Sequence, residues 1–366
     1  VYLDAGFADW LPWIPAEQRK FRNVTLDSMQ GGNESWLKFR NGKLVDATTR
    51  FSIHDFNLTS NNEVQPPRVK SLAGVARWQT DVHGNWNLGV ENLRMVTPSF
   101  VWQPKDLRVS SVLQDDDAQR YAVRLDDAEI TPWLNYFLAL QPADGKLYQT
   151  LKEVRPAGRL HSLALAVQVK DDQLADYRFT ADLRQFNTRA WEAYPGLRDL
   201  DVKLSGQKDL LLVQLNDEYL ELNYPYLFRD TLVLNRVDGT LALRKQADGL
   251  NLQSSLLRIH SDDMRSATQF ALLFPADATQ PPFMQLQSTL RDIDAEKKSR
   301  YLPAGIIPPN LLKWLDEGIL SGGLARGDIV VHGPLGKNWM PYRRVLLGFT
   351  VHDAALRFLP DWTEPV

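Results

Sequence analysis

The chain has 366 residues, 44% of them hydrophobic and 24% charged, which is the composition of an ordinary folded protein of one or two domains. A formal net charge of -3 lacks the basic excess that a nucleic-acid binder needs. Zero cysteines exclude disulfides, thiolate metal sites and cysteine nucleophiles together. No run approaches the ~18 apolar residues of a membrane-spanning helix. The chain opens at Val1 without a signal peptide and reads as a piece of something longer.

Near the N-terminus, Trp10, Trp13 and Trp36 are candidates to shape the mouth of a groove. Asn41-Gly42 is a hairpin signal. The polar stretch Ser60–Pro67 is a loop. Trp78, Thr80 and Val82 then alternate into His83-Gly84-Asn85, and Trp86, Leu88 and Val90 alternate out of it. Thr131-Pro132 suits the N-cap and first position of a helix carrying Trp133, Leu134, Phe137 and Leu138. A second short helix is expected from about Asp144 to Val154. Leu163, Leu165, Val167 and Val169 resume the strand period; Asp171-Asp172 turn the chain, and Tyr177, Phe179, Ala181 and Leu183 return it. Pro195–Gly206 is the best internal seam. Beyond it the same alternation recurs at Leu220, Leu222 and Tyr224, at Leu241 and Leu243, and after Asp248-Gly249 at Leu250 and Leu252. Phe274–Pro282 is a loop. Pro308-Pro309 open a last helix with Ile307, Leu311, Leu315 and Ile319 at intervals of four, closed by glycines and followed by more strands.

This grammar predicts a mainly β protein: a long antiparallel meander with two or three short amphipathic helices, one face apolar and one wetted. Roughly twenty strands at about 4.8 Å each would span on the order of 100 Å. An apolar face of that extent must fold on itself, gain a second layer, or hold something apolar.

No constellation for catalysis stands out. The six histidines are scattered singly, with no HExxH. Asp115-Asp116-Asp117, Asp262-Asp263 and the pair Asp292 and Asp294 lack the EF-hand pattern and read as solvated turns. Ser321-Gly322-Gly323 is not a phosphate loop, and GxSxG is absent. No metal and no cofactor is expected. The eleven tryptophans are first of all packing.

The last sixty residues carry a resemblance. Tyr301-Leu302-Pro303, Trp314-Leu315-Asp316, Gly322-Gly323, Gly327, Gly333-Pro334-Leu335 and Phe349 through Trp362 occur in an order that closely resembles a segment of the AsmA-like superfamily, specifically its YhdP branch of bacterial envelope proteins. Gly74–Trp86, Leu151–Gly158 and Ala193–Gly206 extend it over most of the chain. The resemblance implies a sheet curled into an elongated apolar groove. In such proteins phospholipid acyl chains slide between inner and outer membrane of a Gram-negative cell, and there is no catalytic centre. It further implies a periplasmic segment of a protein held in the inner membrane by an N-terminal helix outside this chain, with the outer membrane or its proteins as further partners. The lining residues expected on this reading are Leu163, Leu165, Val167, Val169, Phe179, Leu220, Leu222, Leu241, Leu243 and Leu252. Periodicity alone leaves two alternatives open. One is a closed structural or interaction sandwich, in which the same residues pack on each other. The other is an envelope glycan enzyme with a compact polar cleft.

Overall fold

The computed structural model describes residues 1–114 and 118–357. Strand makes up 63% and helix 14%, against ~20–25% strand in an average soluble domain, so the chain is mainly β as its alternation requires. It divides into two units, Val1–Arg184 and Gln185–Val366. The seam read at Pro195 falls at the head of the first strand that lies wholly in the second unit.

The first unit runs β1 (Tyr2–Asp9), β2 (Lys20–Phe21), β3 (Val24–Arg40), β4 (Lys43–Ser60), β5 (Val69–Thr80), β6 (Trp86–Val96), β7 (Val101–Trp102), β8 (Leu107–Leu113) and β9 (Gln119–Glu129). Two helices follow, α1 (Ile130–Leu140) and α2 (Lys146–Val154), then β10 (Ala157–Lys170) and β11 (Gln173–Thr188), which crosses into the second unit. Pairing is antiparallel and follows chain order: β1 and β2 on β3, β3 on β4, β4 on β5, β5 on β6, β6 on β7 and β8, β8 on β9, β9 on β10. The tight turns have the chemistry that hairpins demand. Asn41 and Gly42 (φ 52° and 75°), like Asp171 and Asp172 (φ 51° and 56°), occupy the left-handed region that a two-residue turn needs at both central positions.

A meander gathers its turns at two ends. The tips at Asn41-Gly42, Asp81–Asn85 and Asp171-Asp172 lie at one, and α1 and α2 cap the other. The carbonyls at the C-terminus of α1 have no intrahelical donors, so side chains from the strand loops supply them. Asn62 Nδ2 donates to Leu138 O at 2.9 Å and Gln141 O at 2.7 Å, Ser60 Oγ to Ala139 O at 2.9 Å, and Asn23 Nδ2 to Gln141 O at 2.7 Å. Under these helices Val24, Val69, Met95, Ala128, Leu138, Tyr148 and Val154 form a small buried core. The chain passes from β9 straight into α1, so the helix starts at Ile130 with Glu129 as an uncapped N-cap, two residues ahead of the expected Thr131; Pro132 does sit in its first turn.

The second unit contains β12 (Gly196–Gln207), β13 (Leu210–Asp217), β14 (Leu220–Asn223), β15 (Leu232–Leu234), β16 (Arg236–Gln246), β17 (Gly249–Ser254), β18 (Leu257–Ser261), β19 (Met264–Pro275), β20 (Phe283–Arg291) and β21 (Ile293–Asp294). The one-turn α3 (Lys298–Tyr301) and α4 (Pro309–Gly318) precede β22 (Ile319–Pro334) and β23 (Arg344–Leu356). The ladder is again antiparallel throughout. Leu200, Val202, Leu220, Leu232, Leu234, Val237, Leu257, Met264 and Ile293 make its buried core. Asp263 ties the β18–β19 turn to α3: it accepts from Tyr301 Oη and from Ser261 Oγ (3.1 Å), with Lys297 Nζ at 3.2 Å. Arg229 grips Asp316 of α4 through two bonds of 3.0 and 2.7 Å. On α4 the half-buried leucines are Leu312 and Leu315, whereas Leu311 is exposed; the inner face is rotated from the four-residue stripe that the sequence suggests.

The units repeat one motif. Residues 147–167 align with 311–331 at a spacing of 164 (311 − 147). Leu147/Leu311, Leu151/Leu315, Glu153/Glu317, Gly158/Gly322, Leu160/Leu324 and Val167/Val331 are identical, and each pair shares the same degree of exposure. Gly158 and Gly322 also share a backbone only glycine adopts freely, φ 127° and 114°, where a helix hands over to a long strand. Two residues on, Leu160 pairs with buried Ala128 and Leu324 with buried Ile293. This junction is therefore a duplicated element.

Candidate functional site

Outside these cores, register alone assembles a single apolar face in each unit. In the first, a row of directly opposed residues crosses the sheet: Leu37, Ala47, Trp78, Leu88, Val109, Val123 and Leu165, on β3, β4, β5, β6, β8, β9 and β10. Two residues nearer the helices, Val90, Leu107, Leu125 and Leu163 belong to the parallel row. The opposite face is charged: Arg77, Arg108 and Arg124 stand outward on neighbouring strands, with Arg77–Glu91 at 3.0 Å, Arg108–Asp106 at 2.7 Å and Arg50–Glu34 at 3.0 Å. Side chains alternate across a strand, so one face can be greasy and the other wet without any break in the ladder.

The second unit follows the same rule. Leu211, Leu243, Leu252, Leu272 and Met284 are opposed in turn across β13, β16, β17, β19 and β20. Beside them run Leu204, Val213 and Leu241, then Phe270, Leu286, Val331 and Val345. Its outer face carries exposed Gln253, Gln269, Gln285 and Gln287.

These apolar rows are not closed. Leu37, Trp78, Leu88, Val109, Val123, Leu165, Leu243 and Leu272 all remain half-buried. A closed sandwich would bury the middle of each row as an interior.

The expected lining residues fall as follows. Leu163, Leu165, Val167 and Val169 oppose Leu125, Val123, Tyr121 and Gln119 on the open face. Leu241, Leu243 and Leu252 lie on that of the second unit, and Phe179 is half-buried on β11. Leu220 is different: at 6% exposure it belongs to the closed core, with Leu222 beside it between Leu197 and Leu232. Trp36 stands on the wetted face under the Arg50 guanidinium, one residue out of phase with Leu37, so it shapes no apolar mouth. Trp10 donates to Gly31 O at 2.8 Å, and Trp13 is 80% exposed.

Among the described residues, strong electrostatic perturbation falls on structural ties. Burial pushes the Tyr136 phenol up to about 12, where its hydroxyl donates to Pro67 O. The Arg159 guanidinium holds Asp127 below the ordinary carboxylate value across the β9–β10 ladder. Burial acts to raise Asp263, but hydrogen bonds from Tyr301, Lys297 and Ser261 outweigh it and hold the group low. Among the described residues no three His, Asp or Glu side chains converge as metal ligands, and Asp115–Asp117 lie outside them. A shallow polar recess around Thr188, Arg198 and Asn223 carries one carboxylate, Glu221, already held by Arg198 at 3.1 Å. No described helix is long and apolar enough to cross a membrane. No curated protein and no solved structure matches the chain. A family model described as YhdP protein matches residues 1–364, essentially the whole sequence, and the chain belongs to the YhdP family.

Proposed function

We propose that this chain is a non-enzymatic, lipid-carrying segment of a bacterial envelope protein, whose apolar faces hold phospholipid acyl chains while headgroups stay in water. The observation that carries the reading is the pair of continuous apolar rows, seven strands wide in the first unit, left half-open behind a charged or glutamine-rich outer face. Each methylene laid on such a face gains about 0.8 kcal/mol by leaving water. Affinity of that kind is spread along the rows and needs no specific contact, which suits cargo that must slide. Family membership supports an envelope role. On this reading the segment works in the periplasm between the inner membrane, reached through an N-terminal helix beyond this chain, and the outer membrane or its proteins.

The test is site-specific photo-crosslinking in cells, with the photoreactive residue at Leu165 or Leu243 and, as controls, at Arg77 or Gln253 on the outer faces. Mass spectrometry should find phospholipid adducts from the first pair only. Absence of lipid at Leu165 and Leu243, or equal labelling from both faces, would refute it.

A further inference from the structure

The apolar face of the second unit is bounded differently at its two ends. On β16 the positions in phase with that face are Val237, Gly239, Leu241, Leu243 and Lys245. Val237 is 4% exposed, opposite Ile259 in the closed core. At Gly239 (φ 145°) one side of the strand changes partner from β18 to β17. Leu257 lies over the Gly239 backbone so closely that an added Cβ would stand 2.6 Å from its Cδ2. That end is sealed. At the other end, where the hairpin tips gather, the face finishes on three exposed residues, Lys245, Leu250 and Phe274, directly opposed across β16, β17 and β19. Lys245 is the one charged residue in phase with the face on β16, β17, β19 and β20. Its ammonium has no carboxylate partner among the described residues. On the outer face, by contrast, Arg236, Arg258 and Arg265 lean on aspartates at 3.2, 3.4 and 3.4 Å.

On the basis of lipid carriage by this face, we propose that Lys245 receives the phosphate of a phospholipid whose acyl chains lie along the strands, headgroup at the hairpin tips and methyl ends against Leu257. The lengths agree. The six steps from Gly239 to Lys245 make about 20 Å of strand. The hydrocarbon core of a bilayer, ~30 Å, is two chains deep, so one chain takes about 15 Å and its polar end roughly 5 Å more. A chain abutting Leu257 therefore brings its phosphate level with the ammonium, and Leu250 and Phe274 flank the ester end. The reverse orientation would press a charged headgroup against Val237 and Leu257 and strip its water. Chains aligned with the strands can still pass sideways from strand to strand along the rows, with the headgroups following the tips in water.

The test loads the whole chain with either of two phosphatidylglycerol probes, carrying a diazirine at the ester end of an acyl chain or at its terminal methyl. Peptide mapping should place the first label around Lys245, Leu250 and Phe274, and the second around Gly239 and Leu257. Lys245→Gln should lower retention of phosphatidylglycerol about fivefold, the share of one lysine at an anionic lipid surface, with an unchanged circular dichroism spectrum. The same variant should retain diacylglycerol, which has no phosphate, as unmodified protein does, and millimolar inorganic phosphate should not displace the phospholipid. Reversed or uniform labels, or full retention of phosphatidylglycerol by Lys245→Gln, would overturn the assignment and leave lipid carriage standing. Displacement by inorganic phosphate would overturn it in favour of a site for the free ion. No label from either probe would overturn it together with lipid carriage.

Discussion

Replacing Leu232 and Leu243 by alanine, one at a time, measures whether the apolar face is an interior. Both residues lie in the second unit, so they report on the same unfolding transition. Leu232 is 5% exposed, opposed by Leu222, in the closed core. Leu243 is half-buried between Leu211 and Leu252. The atoms removed are the same, so the difference is environment. At Leu232 the transfer loss adds to a cavity that neighbours refill only in part, for about 2–5 kcal/mol. At Leu243 part of the side chain is already in water and no enclosed void forms, so about 1 kcal/mol is expected from the area that remains covered. Arginine widens the gap. At Leu232 it would bury an unpaired charge, and the variant should fail to fold or lose several kcal/mol. At Leu243 the guanidinium can reach water while its stem lies along the row, for about 1–2 kcal/mol. Urea unfolding followed by tryptophan fluorescence gives the four values. Equal costs at the two positions would mean that the rows are packed as an interior, and the open-face reasoning would fall.

Three further outcomes follow from the helices and the buried ties. Tyr136 is raised from 10.0 to about 12 in the folded state, so its contribution is present below pH 10 and is lost as pH climbs toward 12; Tyr136→Phe should flatten that alkaline limb of Tm against pH. Asp263 is held below 3.8, so its contribution is present above that value and is lost as pH falls through the folded pKa; Asp263→Asn should remove this part of the acid limb and lower Tm at neutral pH. On α4, Leu315→Asp should cost about 2 kcal/mol or more by burying a charge, whereas Leu311→Asp at an exposed position should cost close to nothing; equal effects in thermal melts would refute the helix orientation.

The class of fold and much of the open face are legible in the sequence because both depend on a period of two. Leu163 to Val169 and Leu241 to Leu252 declare their side of the strand by alternation, and antiparallel pairing then carries that side across the sheet. Closure is not a property of one strand. Leu220 alternates as cleanly as Leu241, yet one is core and the other open, because β14 pairs with the three-residue β15 beside the end core while β16 runs the length of the sheet. Trp36 shows the opposite error, where a large aromatic draws attention to itself although its phase against Leu37 assigns it to the wetted face. Leu88, Val109 and Leu272 carry the same alternation as the residues singled out, and reading their phase would have added them. The duplicated junction was legible too, but its identities are sparse. It becomes conclusive only when Gly158 and Gly322 are seen to share a left-handed backbone at the same helix-to-strand step.

That junction and the open rows place opposite demands on sequence. At Gly322 an added Cβ would stand 2.6 Å from Ala354 Cα, and φ is 114°, so any side chain there is strained whatever else changes. The end cores are similarly constrained, because Ala128 and Ile293 are buried against the strand that follows the helices. An open row asks less of each position: one apolar residue can replace another with little cavity cost, because the solvent side is never sealed. Stability therefore concentrates in the ladder, the helix junctions and the small end cores, while the rows remain free to present a continuous apolar surface. A fold organised this way can leave greasy surface half-covered along its length without depending on that surface to stay folded, and a sheet meant to hold an exchangeable apolar cargo must meet that condition.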